Sequence, residues 1–170
     1  MTADCTWLTP MLAIGGAVPP AGLRDFVRAE HIRAIVDLRA EDCDDAAALG
    51  REGVAFLHLP TPDCFPPDLT LIDRGVAFAA PRLAAGTPVL VHCEHGIGRA
   101  PLMALCILIA AGLAPLDALM LAKDRRPVVS PSPAQYEGWA AWIAARHPGV
   151  AVPDFTAFAT VAYRHLAMSA

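Results

Sequence analysis

The sequence has no run of Lys or Arg, no long apolar stretch at its start and little charge overall, with 18% of its 170 residues charged. Acidic residues outnumber basic ones 17 to 13, for a formal net charge of -4. Neither the basic stripe of a nucleic-acid binder nor a polybasic patch drawn to anionic lipid is present. The opening MTADCTWLTP lacks the basic start and apolar run of a secretory signal. The most apolar segment, 100–114, is too short to span a bilayer and is broken by Pro101 and Gly112. The closing HLAMSA has no cysteine four residues from the end, so prenylation is not encoded. The five cysteines are odd in number, irregularly spaced and accompanied by no secretion signal, as expected of free thiols in a reducing compartment. A soluble, cytoplasmic protein is expected, with neither nucleic acid nor membrane as partner and its oligomeric state open.

What the chain does have is core-forming material: 55% of it is hydrophobic, enough for one well-buried domain at this length. Apolar, β-rich runs at 32–38, 54–59 and 89–92 read as buried strands. Segment 7–14, closed by Gly15-Gly16, reads as a further strand or pair of strands. Helices are expected at 20–30, 45–53, 69–85, 98–111, 115–125, 133–146 and 155–168. Between strand and helix, PTPDCFPPD carries four prolines in nine positions and is expected to be irregular. The alternation predicts an α/β fold, a mostly parallel central sheet flanked by helices on both faces. Such sheets bind ligands beyond the C-terminal ends of their strands. The turns after Leu38, Leu59 and His92 all fall at that edge.

The segment VLVHCEHGIGRAP, 89–101, reads as strand, glycine-bearing loop and helix. A helix N-terminus offers unpaired N–H groups and a positive dipole end to an anion, and Gly96 and Gly98 let the backbone curl so that several amides converge. Glu94, His95, Gly96, Ile97, Gly98 and Arg99 would form this phosphate-binding loop. Cys93 would sit at its floor, where the amide dipoles stabilise a thiolate nucleophile. Arg99, six residues on, can fold back and grip phosphate oxygens through its planar fork. Phosphoryl transfer to sulfur and hydrolysis of the phosphocysteine would follow. The competing readings are a core cysteine beside an unrelated arginine, and a metal site on His92, Cys93 and His95. Adjacent residues at a strand end point opposite ways and no second Cys or His pair completes such a site. No metal or organic cofactor is implied.

HCEHGIGRA resembles the active-site loop of cysteine-dependent protein tyrosine and dual-specificity phosphatases: His-Cys, five residues, Arg. The resemblance runs over about residues 7–145, from WLTPMLAIGG through IVDLR to KDRRP and SPAQYEGW. GRAP, 98–101, and DCFPP, 63–67, are most similar to the phosphatases of regenerating liver, although the polybasic tail and prenylation cysteine of that group are missing. By this resemblance residues 1–150 are expected to form the catalytic domain; 151–170, beyond the resemblance, are expected to be a C-terminal helical extension of it. Cys93 is implied as nucleophile, Arg99 as phosphate ligand and His92 as a tuner of the cysteine. Asp63 is implied as the general acid on a mobile loop, protonating the leaving group and later activating water. Asp68 competes for that role but reads better as the cap of the following helix. Gln135 matches a glutamine that positions water, with a plain helical surface residue as the other reading.

Two departures shape the expected activity. Ala100 stands where most of the family has Ser or Thr. The lost hydrogen bond to the departing thiolate is worth about 1.5–3 kcal/mol, roughly ten- to a hundredfold in rate. Slow turnover with accumulating phosphocysteine is expected. Glu94 would repel a polyphosphorylated inositol, which favours a phosphorylated protein as substrate, carrying phosphotyrosine foremost, with phosphoserine or phosphothreonine as further substrates. Cys43 and Cys64 lie near the same edge, either as ordinary loop cysteines or as partners for an oxidised Cys93. The alternatives to an enzyme of this kind are a catalytically weak phosphate-binding module and a rhodanese-type sulfurtransferase.

Overall fold

The computed structural model describes residues 4–167. Five strands form one sheet: β1 (Cys5–Trp7), β2 (Leu12–Gly15), β3 (Ala34–Arg39), β4 (Ala55–Thr61) and β5 (Val89–His92), in the order β1-β2-β5-β3-β4. The segment expected as a strand or pair is a pair, with β1 antiparallel to β2. All other pairings are parallel. β5 and β3 are the central strands, and every residue of both is buried. Their sequences, VLVH and AIVDLR, are accordingly apolar on both faces until the polar residues at their C-terminal ends.

Helices cover both faces. On one, α1 (Pro20–Ala29) buries Leu23, Phe26 and Val27, and α2 (Ala46–Arg51) buries Leu49. The other face carries the larger core around α4 (Arg99–Ala110), whose residues are buried from Arg99 through Ile109. A helix apolar all round belongs in such a position. α3 (Leu69–Ala84), α5 (Pro115–Arg125), α6 (Pro133–Arg146) and α7 (Phe155–Ala162) pack around it. Trp139 and Trp142 of α6 are buried, as their spacing predicts, and Phe158 of α7 packs with Trp139 and Tyr136. The expected terminal helix is interrupted at Tyr163 and resumes as α8 (Arg164–Ala167), while Met168 lies outside the described residues. The Tyr163 hydroxyl donates to the Pro131 carbonyl, fixing the interruption against the loop before α6. β4 also runs two residues into the proline-rich segment. No described helix is long and apolar enough to cross a membrane.

Candidate active site

β3, β4 and β5 end on one edge, and everything implicated in chemistry collects there. Cys93 follows β5 directly and is 3% exposed. The chain then curls through Glu94 to Gly98 into α4. Its carbonyls are all engaged from outside. Ala17 N–H donates to Glu94 O at 3.0 Å and Ser130 N–H to Ile97 O at 2.9 Å. Arg126 donates from Nη2 to His95 O and from Nε to Gly96 O, at 3.0 and 2.9 Å. The amides of 94–98 have no acceptor among the described residues. A ring of backbone amides without acceptors suits an anion. Gly96 holds a φ of +63°, and a Cβ there would stand 2.6 Å from the Gly15 carbonyl carbon. No other residue fits that turn.

Arg99 begins α4 and folds back, 1% exposed. Glu41 grips its Nη1 and Nη2 at 2.8 and 2.7 Å, and Nη1 also donates to Thr61 O at 2.9 Å. The fork therefore does not present both terminal nitrogens to a ligand. Its other edge, Nε with Nη2, remains, and Nε is buried without a partner. Burial works against the Arg99 charge, but Glu41, Cys93 and Asp63 together outweigh it and raise its pKa. Hydrogen bonding to Arg99 in turn holds the Glu41 carboxyl at about 2.

Asp63 lies over the same arginine, its Oδ1 3.3 Å from Nη2. A pocket of about 200 Å³ brings Asp63, Cys64, Cys93, Gly98, Ser132 and Gln135 together. Asp68 is occupied elsewhere, accepting from Leu71 N–H as the cap of α3. Gln135 is buried in the capping box of α6: its Oε1 accepts from Ser132 N–H and its Nε2 donates to Phe65 O. Ala100 is fully buried in the first turn of α4. Glu94 and His95 are exposed at the mouth.

Behind Cys93 lies a second charged group. His92 Nε2 is 3.0 Å from Asp44 Oδ2, and Arg39 binds Asp37 and Asp44 at 2.9 and 2.7 Å. Asp37, Asp44 and His92 lie close enough for one metal ion, but the cation among them is the Arg39 guanidinium. Burial pushes the Asp37 carboxyl up, and Arg39 and His92 more than reverse this, keeping it ionised. Burial places the Cys106 thiol well above its ordinary range, in keeping with a core residue. Sequence reasoning missed Glu41, Arg126 and the Arg39 group. IVDLR and KDRRP were visible as resemblances, but no spacing linked them to the loop.

The model of the polymorphic toxin system DSP-PTPase phosphatase family matches residues 19–113. Human dual specificity protein phosphatase 12 is 30% identical over 131 residues, covering 76% of this chain and 37% of that protein. Human protein tyrosine phosphatase type IVA 3 is 29% identical over 84 residues, covering 48% and 49%. The chain thus spans about half or less of the length of these relatives. Among solved structures, that of PTPMT1 in complex with PI(5)P superposes with a TM-score of 0.75 at 26% identity, covering 84% of this chain and 97% of that one. The family model takes in more than half of the sequence, from the start of α1 to the end of α4, and the chain belongs to this family of DSP-PTPase phosphatases.

Proposed function

We propose that this chain hydrolyses phosphomonoesters through a phosphocysteine on Cys93. The observation that carries the reading is the cradle itself: the amides of 94–98 without acceptors, the unpartnered Nε of Arg99 and the buried Cys93 beside them. The amides and Arg99 bind the phosphate dianion and place phosphorus against sulfur. The Cys93 thiolate attacks, the S–P bond forms, and the ester P–O bond breaks. Asp63, protonated, gives its proton to the departing oxygen. In the second step water attacks phosphorus and its proton passes to the Asp63 carboxylate. The S–P bond breaks and the electron pair returns to Cys93. Departure of this thiolate is slow, because Ala100 offers no hydroxyl to it.

The substrate is a phosphorylated protein, with phosphotyrosine foremost. Glu41, Asp42, Asp63 and Glu94 are exposed around the mouth, and a multiply phosphorylated ring would meet their repulsion. The solved PTPMT1 complex holds PI(5)P, so that lipid is the natural competitor substrate. Five free thiols support a reducing, cytoplasmic setting. Rapid mixing with para-nitrophenyl phosphate under reducing conditions tests the chemistry. A burst of phenol followed by slow turnover, abolished in Cys93→Ser, is expected. Release no faster than in Cys93→Ser would leave only phosphate binding.

A further inference from the structure

The segment that carries Asp63, between β4 and α3, has little structure of its own. Its internal backbone bond is Phe65 N–H to Pro62 O at 3.2 Å. Apart from the Asp63–Arg99 pair, what fixes it is one side of α6. The Ser132 hydroxyl donates to Cys64 O at 2.6 Å, and Gln135 Nε2 donates to Phe65 O at 3.2 Å. One turn further on, Pro66 lies so close to Gly138 that a Cβ there would stand 2.4 Å from the Pro66 Cβ. Ser132, Gln135 and Gly138 follow one another at three-residue spacing and meet Cys64, Phe65 and Pro66 in the same order.

Two features of this contact run against local preference. Cys64 holds a φ of +64°, a conformation that a residue with a Cβ keeps only where its surroundings impose it. Gly138 sits in the middle of a helix, where glycine is a poorer choice than alanine. Both make sense if the loop must lie flat on α6. Ser132 serves twice: its oxygen accepts from Gln135 N–H at 3.2 Å as the helix cap, and its proton goes to the loop.

We infer that this side of α6 is the seat of the acid loop, and that Ser132 and Gly138 are positioning residues for proton delivery by Asp63. The inference rests on Asp63 being the general acid. Gly138 is not among the residues lining the pocket, and Ser132, which is, gives its proton to Cys64 O. Loosening the seat moves Asp63 from the leaving oxygen while Cys93, Arg99 and the amide cradle stay in place.

The test compares kcat/KM, which reports the first chemical step, for phenyl phosphate and dinitrophenyl phosphate. Phenolate leaves poorly without a proton; dinitrophenolate needs none. Asp63→Asn should lower kcat/KM for phenyl phosphate by roughly a hundred- to ten-thousandfold and spare dinitrophenyl phosphate. Ser132→Asp keeps an acceptor to cap α6 but has no proton for Cys64 O. Gly138→Ala improves the helix but crowds Pro66. Each should cost about ten- to a hundredfold on phenyl phosphate alone. Ser132→Thr, which keeps the donor, should behave as wild type, and Gly138→Ala should resist urea at least as well as wild type. If Asp63→Asn separates the substrates but Ser132→Asp and Gly138→Ala do not, the seat is refuted. If they slow both substrates together, their role is structural and the inference is likewise overturned. Equal behaviour of the two substrates in Asp63→Asn would overturn the acid assignment, and the seat with it.

Discussion

Two arginines are buried side by side at the C-terminal edge of the sheet, and they are used in opposite ways. Arg39, ending β3, is enclosed by carboxylates: Asp37 and Asp44 are buried with it and Asp42 closes the outer side at 3.2 Å. Each of its three nitrogens binds a carboxylate, and a group of this kind fixes the position of β3 and His92. Arg99, following β5, is held by a Glu41 that is itself 42% exposed and by Thr61 O, with Asp63 3.3 Å from Nη2, and its Nε is buried without a partner. Leaving a charged donor unsatisfied in the interior is costly unless something arrives to meet it. Buried charge alone therefore does not mark a site. A buried charged donor with an unmet hydrogen bond does.

The largest expected effect separates the two arginines most sharply. Arg99→Lys keeps the charge but loses the planar fork, and kcat/KM for para-nitrophenyl phosphate should fall about a hundred- to ten-thousandfold. Arg39→Met should instead strand buried carboxylates and reduce stability by about 3–5 kcal/mol in urea unfolding. Full activity in Arg99→Lys, or unchanged stability in Arg39→Met, would break the comparison. Ala100→Ser comes next. It should speed phosphocysteine hydrolysis roughly ten- to a hundredfold, seen as loss of the burst in rapid mixing. Unchanged turnover with the burst retained would put the slow step elsewhere.

The smallest effect concerns Glu41. Arg99 lowers its carboxyl from an ordinary 4.5 to about 2. The unfolded chain therefore binds the proton first as pH falls. The pair's contribution is complete above pH 4.5 and is lost as pH drops through 2. Glu41→Gln should flatten the decline of the urea midpoint across that window. The difference will be modest because Glu41 faces solvent. An identical decline in wild type and variant would show that the pair adds nothing to stability.

The strand, loop and helix of the candidate site were legible in the sequence because its parts are contiguous: strand, cysteine, two glycines, arginine and helix follow one another within 89–101. The parallel sheet was legible for a similar reason, since fully buried strands such as VLVH carry an unbroken apolar signal. Glu41 and Arg126 were not. Each reaches the loop through tertiary contact from a distant segment, 58 residues away for Glu41 and Arg99. Both also stand among other charged residues that look alike in sequence. The break at Tyr163 was hidden as well, because the periodic apolar pattern continues through it while a hydrogen bond to Pro131 decides the local geometry. Gln135 illustrates the limit from another side. Its helical position was readable, but its engagement with Phe65 O depends on a loop that has no pattern at all.

The most direct test of a covalent route through Cys93 is acid quenching during turnover of para-nitrophenyl phosphate, followed by mass spectrometry of the intact chain and its peptides. A single added phosphate on the peptide bearing Cys93, absent in Cys93→Ser and persisting longer in wild type than in Ala100→Ser, is the predicted result. Steady hydrolysis with no phosphate on that peptide at any quench time would contradict it.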